Sequence, residues 1–336
     1  MMKRFFARRR YKRAVDEALE HLAERRTDQA RAAMRRAAEA ADAAFDGRGV
    51  DVATVRFALA SKGLEAGALE EALDDAHTAE RALSSMTVDE RSQSAPEEAP
   101  SLSQVRGLIA AILERQGVTG PDYDAALSAW AEAASADKDD EAAGAAHNQL
   151  GLSFARRGDR EGAAPHFLSA LEKRTRKFGP RGLPTLETLY NAATFRDSSR
   201  TLDVVAVDLE RIVTALDRKR DKRESELFES ALHNLAALKE EQGDTDAAQG
   251  IFERALSAKE ARLGRDHIAL RATLVRLAQI HHRDGRLIHA LDLYERALVL
   301  ARKEHGDEHP IVVAIEAWRA ELTQGIGPEA IARKKN

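Results

Sequence analysis

The chain repeats itself. The segments "GDREGAAPHFLSALEKR", "GDTDAAQGIFERALSAK" and "GRLIHALDLYERALVLA" align from Gly158, Gly243 and Gly285. Within them Ala163, Ala248 and Ala290 coincide, then Phe167, Phe252 and Tyr294, then Ala170, Ala255 and Ala297. Ala255 and Ala297 lie 42 residues apart, as do Gly264 and Gly306. One such unit is too small to bury its own apolar face, so a fixed period of this size predicts stacked helix hairpins whose core grows with each repeat. Such a stack points to surface recognition rather than chemistry, and leaves the partner unspecified.

The register extends in both directions. A small residue, or once an isoleucine, recurs in each second helix at Ala37, Ala79, Ala133, Ala170, Ile212, Ala255 and Ala297. Three positions earlier stand Met34, Ala76, Trp130, Phe167, Leu209, Phe252 and Tyr294. The first helices carry their own small residue at Ala60, Ala110, Gly151, Ala193, Ala236, Ala278 and Ala320. A small residue lets two helices approach, and a large one fills the hole beside it. The pattern predicts an all-α solenoid of seven antiparallel hairpins, at 14–46, 51–86, 101–136, 141–177, 184–217, 225–261 and 268–303, followed by an unpaired helix at 310–323. Ala193 and Ala236 are 43 apart, which places one inserted residue near 217–222.

Composition agrees. Of 336 residues 43% are hydrophobic but only 5% aromatic, so alanine, the best helix former, carries much of the apolar share. The eight prolines fall in loops or at helix starts, with Pro165 expected in a first helical turn, where the missing N–H costs least. There is no cysteine, which removes disulfides and thiolate chemistry and fits a reducing cytoplasm. No apolar run approaches the ~18 residues of a membrane span, and the opening "MMKRFFARRRYKR" lacks the apolar segment of a secretory signal.

Charge is uneven. Lys3, Arg4, Arg8, Arg9, Arg10, Lys12 and Arg13 give residues 1–13 a charge of +7, Arg333, Lys334 and Lys335 add three near the end, and the chain totals −4, so residues 14–332 carry −14. We read 1–13 as a basic arm suited to an anionic surface: lipid, nucleic acid or an acidic protein. Phe5, Phe6 and Tyr11 interleave with its cations. Residues 14–86 read as degenerate hairpins, 87–100 ("TVDERSQSAPEEAP") as a flexible linker whose Ser92 and Ser94 are open to modification, 101–323 as the array, clearest over 141–323, and 324–336 as a tail.

His281, His282 and Asp284 form "HHRDG", but adjacent helical residues point ~100° apart and make a poor metal pair. His305 and His309 are separated by a glycine and followed by Pro310, which implies a loop. Phosphate-binding glycine loops and nucleophile elbows are missing, and Asp74–Asp75 and Asp139–Asp140 read as helix-end or surface charges. We expect no enzyme, no cofactor, no metal and no small-molecule substrate.

The segments "HNLAALKEEQGDTDAAQGIFERALSAKEARLGRDHIAL" (233–270), "NQLGLSFARRGDREGAAPHFLSALEKRTRKFG" (148–179) and "YERALVLARKEHGDEHPIV" (from Tyr294) resemble tetratricopeptide repeats of the long subtype found in kinesin light chains. The resemblance covers 141–323 and is degenerate over 184–217, where "RDSSRTLDVVAVDLERIV" lacks the usual glycine. It implies a right-handed superhelix whose concave groove, lined by first helices, holds an extended peptide or a partner helix. The family keeps a histidine in the inter-repeat turn, here His267 and His309, and an asparagine that reaches the bound backbone. Gln149, Asn191, Asn234 and Arg276 occupy the asparagine place, with Ala58 and Leu108 in the weaker repeats and Trp318 in the last helix. Asn191 and Asn234 keep the family residue, Gln149 offers similar groups, and Arg276 favours an acidic ligand. Asn148, Tyr190, His233, Gln279, His282 and Arg283 neighbour that face. A side-chain amide pairs with a peptide C=O and N–H at once. The expected function is a protein-binding adaptor or scaffold, bacterial by its Ala–Arg-rich composition. The alternatives are a nucleic-acid- or membrane-associated regulator acting through the basic arm, or a self-assembling homo-oligomer, since an array without a polar cap can stack end to end.

Overall fold

The computed structural model describes residues 2–24, 26–86, 99–217 and 221–325, and these contain fifteen α-helices and no strand. The chain divides into two compact units, Met1–Thr188 and Leu189–Asn336. The first holds α1 (Met2–Ala23), α2 (Thr27–Phe45), α3 (Val50–Ala66), α4 (Leu69–Ser84), α5 (Leu102–Arg115), α6 (Pro121–Ala136), α7 (Asp140–Arg156) and α8 (Arg160–Phe178). Helix α9 (Leu183–Thr194) spans the boundary. The second unit continues with α10 (Leu202–Ala215), α11 (Lys222–Glu241), α12 (Thr245–Leu263), a 3₁₀ turn (Ile268–Leu270), α13 (Arg271–Arg283), α14 (Leu287–His305) and α15 (Pro310–Gly325).

The hairpins form where the register places them, and the seam residues explain why. Ala37, Ala79, Ala170, Ile212, Ala255 and Ala297 are at most 1% exposed, and the paired Phe167, Leu209, Phe252 and Tyr294 at most 2%. Ala60, Ala110, Ala193, Ala236 and Ala278 are buried opposite them. Ala320, at the equivalent place in α15, is exposed because no second helix covers it among the described residues. At Gly151 the helices approach so closely that a Cβ would stand 2.6 Å from Phe167 Cε1.

The short hairpin turns need a left-handed residue, supplied by Gly158 (φ 84°), Gly243 (83°) and Gly285 (72°). The repeat without that glycine solves the turn differently. Asp197 accepts hydrogen bonds from the Ser199 backbone N–H (2.7 Å) and hydroxyl, Thr201 caps α10, and Arg200 pairs with the buried Asp208. Helix α9 is correspondingly short, 12 residues against 17 in α7.

Two expectations are corrected. Residues 2–13 are not an arm set apart from the first hairpin but the amino-terminal half of α1. Arginine, lysine and alanine are strong helix formers with no breaker among them, and Ala7 and Ala14 are buried, 2% and 7% exposed. Pro165 stands inside α8, the sixth residue from its start at Arg160, one turn deeper than the first turn. Most of the proposed linker (87–98, with Ser92 and Ser94), part of the expected insertion site (218–220) and most of the tail (326–336) lie outside the described residues.

Candidate functional site

The positions matching the family asparagine fall in both units. Gln149 is half-buried on α7 of the first. Asn191 on α9, Asn234 on α11 and Arg276 on α13 belong to the second. There Asn234 Nδ2 donates to Tyr190 OH (3.0 Å) and Thr194 Oγ1 (3.4 Å), tying α11 to α9. Those bonds use the amide donors and leave Oδ1 to accept from a ligand N–H. Arg276 Nη1 stands 3.8 Å from Glu240 Oε2, and Arg283 also pairs with Glu240. Two guanidinium groups thus share one carboxylate.

Asn234, Glu240 and Arg276 border a depression of about 500 Å³, whose lining does not include Asn191 or Arg283. Its apolar lining is Ala193, Val205, Leu209, Ala237 and Leu238, and its rim includes Thr194, Asn234, Arg276, Glu240 and the Arg196–Glu241 pair at 3.7 Å. Arg196, Glu240 and Glu241 were missed in the sequence. The available signal was the recurrence of one position with opposite charge, since Glu241 and Arg283 stand 42 residues apart.

His233 is turned into the seam between repeats. Its ring meets Phe252 edge-on (5.3 Å between centroids, 67°), and its Nδ1 lies 3.3 Å from Thr273 Oγ1. Lys259 Nζ donates to the same hydroxyl (3.2 Å), which therefore joins the two side chains. Burial, with Lys259 and Arg276 nearby, pushes the His233 pKa down to about 4. The clasp has a counterpart two repeats earlier, where Arg174 Nη1 donates to Thr188 Oγ1 (2.8 Å). Gln279 is half-buried on α13, and Asn148 is 7% exposed on α7. The weaker positions serve packing: Leu108 joins the core of the first unit, and Trp318 lies on Tyr294 with 5.9 Å between ring centroids.

The charged rows also bind repeat to repeat. Glu229, 3% exposed, takes Arg262 through two bonds of 2.8 and 2.7 Å. One repeat later the same places hold Arg271 and Glu304, paired at 3.4 Å with the charges exchanged. On the second helices Arg254–Asp217 (2.5 Å) recurs as Arg296–Glu260.

The basic stretch is organised by α1. Arg8 lies over the Phe45 ring at 5.2 Å, and Tyr11 OH donates to Asp51 Oδ1 (3.3 Å). Arg9, Arg10, Lys12 and Arg13 are exposed, and Lys3 and Arg4 lie in the same helix. No cluster of three or more metal-ligating side chains occurs among the described residues. His305 and His309 stack at 4.1 Å, and His267 and His309 each accept a backbone N–H at 3.2 Å, from Ala269 and Ile311, which caps the inter-repeat turn. No described helix is long and apolar enough to cross a membrane.

Residues 227–303 match the tetratricopeptide repeat family model. The comparison with curated proteins found no match. Among solved structures, BtubC (BKLC) from P. vanneervenii is 17% identical with a TM-score of 0.52, over 77% of this chain and 92% of BtubC. The C-terminal part of a TPR repeat-containing protein from Cytophaga hutchinsonii is 12% identical with a TM-score of 0.56, over 89% and 97%. A putative kinesin light chain from Podosopora anserina with nearly identical TPR-like repeats is 18% identical with a TM-score of 0.45, over 53% and 84%. The interlocking seam at a 42-residue period and the family match identify residues 227–303 as tetratricopeptide repeats, and the chain shares its helical fold with solved structures of that type.

Proposed function

We propose that the protein is a binding adaptor or scaffold that holds an extended segment or helix of a protein partner against the first helices of its second unit. The observation that carries this is the depression beside Asn234 and Arg276, where an amide acceptor, an apolar floor and a rim of paired charges lie together. A side-chain amide contributes roughly 0.5–1.5 kcal/mol per bond, so affinity requires several contacts along the partner. With Arg276 and Arg283 sharing Glu240, one positive charge is uncompensated, which favours an acidic group on the partner.

The test is quantitative capture of partners from the native cell, followed by titration of the recovered partner against purified protein. The double variant Asn191→Ala plus Asn234→Ala weakens binding, and Arg276→Glu weakens it further. Capture of the same partners at unchanged strength by the double variant removes the assignment.

A further inference from the structure

The exposed side of α1 carries a second surface, independent of the depression in the other unit. Phe6, Arg9, Arg10 and Arg13 are spaced i, i+3, i+4 and i+7, which sets them on one helical face. Phe6 is 55% exposed, an uncommon state for so large an apolar side chain, and Arg9, Arg10 and Arg13 are exposed around it. The buried side of the helix is fixed, since Ala7, Ala14 and Ala18 are 2%, 7% and 3% exposed and Tyr11 and Arg8 are held by Asp51 and Phe45. The cations therefore sit on a rigid element and lose little freedom on binding. Arg10 and Arg13 also border a depression of about 520 Å³ whose other lining includes Arg36, Glu17, Glu39 and Ala40. Arg36 is tied to Glu17 at 2.8 Å, so Arg10 and Arg13 are the cations this hollow offers to a phosphate.

We propose that this face of α1 docks the protein on an anionic phospholipid bilayer, with Phe6 entering the interface and Arg9, Arg10 and Arg13 meeting headgroup phosphates. Complementarity favours that occupant. Residues 1–13 carry +7 while residues 14–332 carry −14, so this helix begins with the chain's most cationic stretch and the acidic body keeps the contact peripheral. An exposed aromatic beside cations matches an interfacial anchor, whereas single-stranded nucleic acid is held by a series of stacking platforms along a basic groove.

The experiment is flotation of the full chain with vesicles of phosphatidylcholine alone and of phosphatidylcholine containing about a third phosphatidylserine, in ~0.1 M salt. Binding is expected to the mixed vesicles only, and it weakens as salt shortens the screening length. A cation near such a surface contributes roughly fivefold in partition, so Arg9→Gln, Arg10→Gln and Arg13→Gln together lower it roughly a hundredfold. The triple lysine variant retains binding, and Phe6→Ala loses several-fold. Circular dichroism confirms that the helix content of each variant is unchanged. Equal binding to both vesicle types, no binding to the mixed vesicles, or tighter binding to a 20-nucleotide single strand than to those vesicles overturns the proposal. Because Asn234 and Arg276 are untouched by these variants, loss of lipid binding with partner capture intact separates this surface from the groove reading.

Discussion

Gly151→Ala is a sensitive probe of how the hairpins close. In an exposed helix this change stabilises by roughly 0.8–1.0 kcal/mol, because alanine restricts the unfolded chain and favours the helix. Here the new Cβ meets the Phe167 ring broadside, at 2.6 Å from Cε1, 2.7 Å from Cδ1 and 3.0 Å from Cζ. Carbon contacts settle at about 3.5–4.0 Å, so the ring must retreat by about 1 Å. Phe167 is 2% exposed and has little room to do so. Overpacking of this kind costs roughly 1–3 kcal/mol, which exceeds the propensity gain and leaves a net loss of about 1 kcal/mol. Because the chain has two units, a single global midpoint is a poor readout, and hydrogen exchange in peptides from α7 and α8, alongside urea unfolding, reports the local change. Protection in both helices falls. In the Phe167→Leu background, where the ring edge is gone, Gly151→Ala becomes neutral or stabilising, a coupling of roughly 1–2 kcal/mol. Equal stabilisation by Gly151→Ala in both backgrounds refutes the reasoning.

Three further outcomes follow from the same seams. Ala297→Leu, at a position 0% exposed beside Tyr294, destabilises α14 by roughly 1–3 kcal/mol in thermal or urea unfolding. Glu229→Arg and Arg262→Glu each destabilise the second unit by roughly 2 kcal/mol, and the double exchange recovers most of that loss by copying the Arg271–Glu304 arrangement one repeat later, read by urea unfolding. His233 binds its proton more weakly folded, at about 4, than unfolded, at 6.5, so between these values the unfolded state holds more protons and stability rises with pH. Stability from the neutral ring is complete above pH 6.5 and declines as pH falls toward 4, and in His233→Gln that slope is flattened while the Thr273 hydroxyl keeps a partner.

The repeat period, the alternation of small and large seam residues and the succession of hairpins over 141–323 were legible in the sequence. Each depends on residues close together in the chain, and repetition reports the same local rule several times. Ala255 and Ala297 had to be small wherever their hairpins ended up, because a second helix always packs on its own first helix. The turn at 195–201 was legible only as a missing glycine; that Asp197, Thr201 and the Arg200–Asp208 pair replace it required the fold.

The candidate site was half legible. Resemblance places Asn191, Asn234 and Arg276 in register. That Asn234 donates to Tyr190, that Arg276 shares Glu240 with Arg283 and that His233 is linked through Thr273 to Lys259 are contacts between residues 14 to 44 positions apart. Likewise residues 2–13 showed their charge in the sequence, but their place in α1 depended on Ala7 and Ala14 finding buried sites in the packed first hairpin. The sequence alone determined that hairpins form and at what interval, since apolar periodicity and helix propensity act along the chain. Tertiary structure decided which polar groups meet, because a side chain's partner comes from the neighbouring helix, and only the packed seam sets that helix at hydrogen-bonding distance.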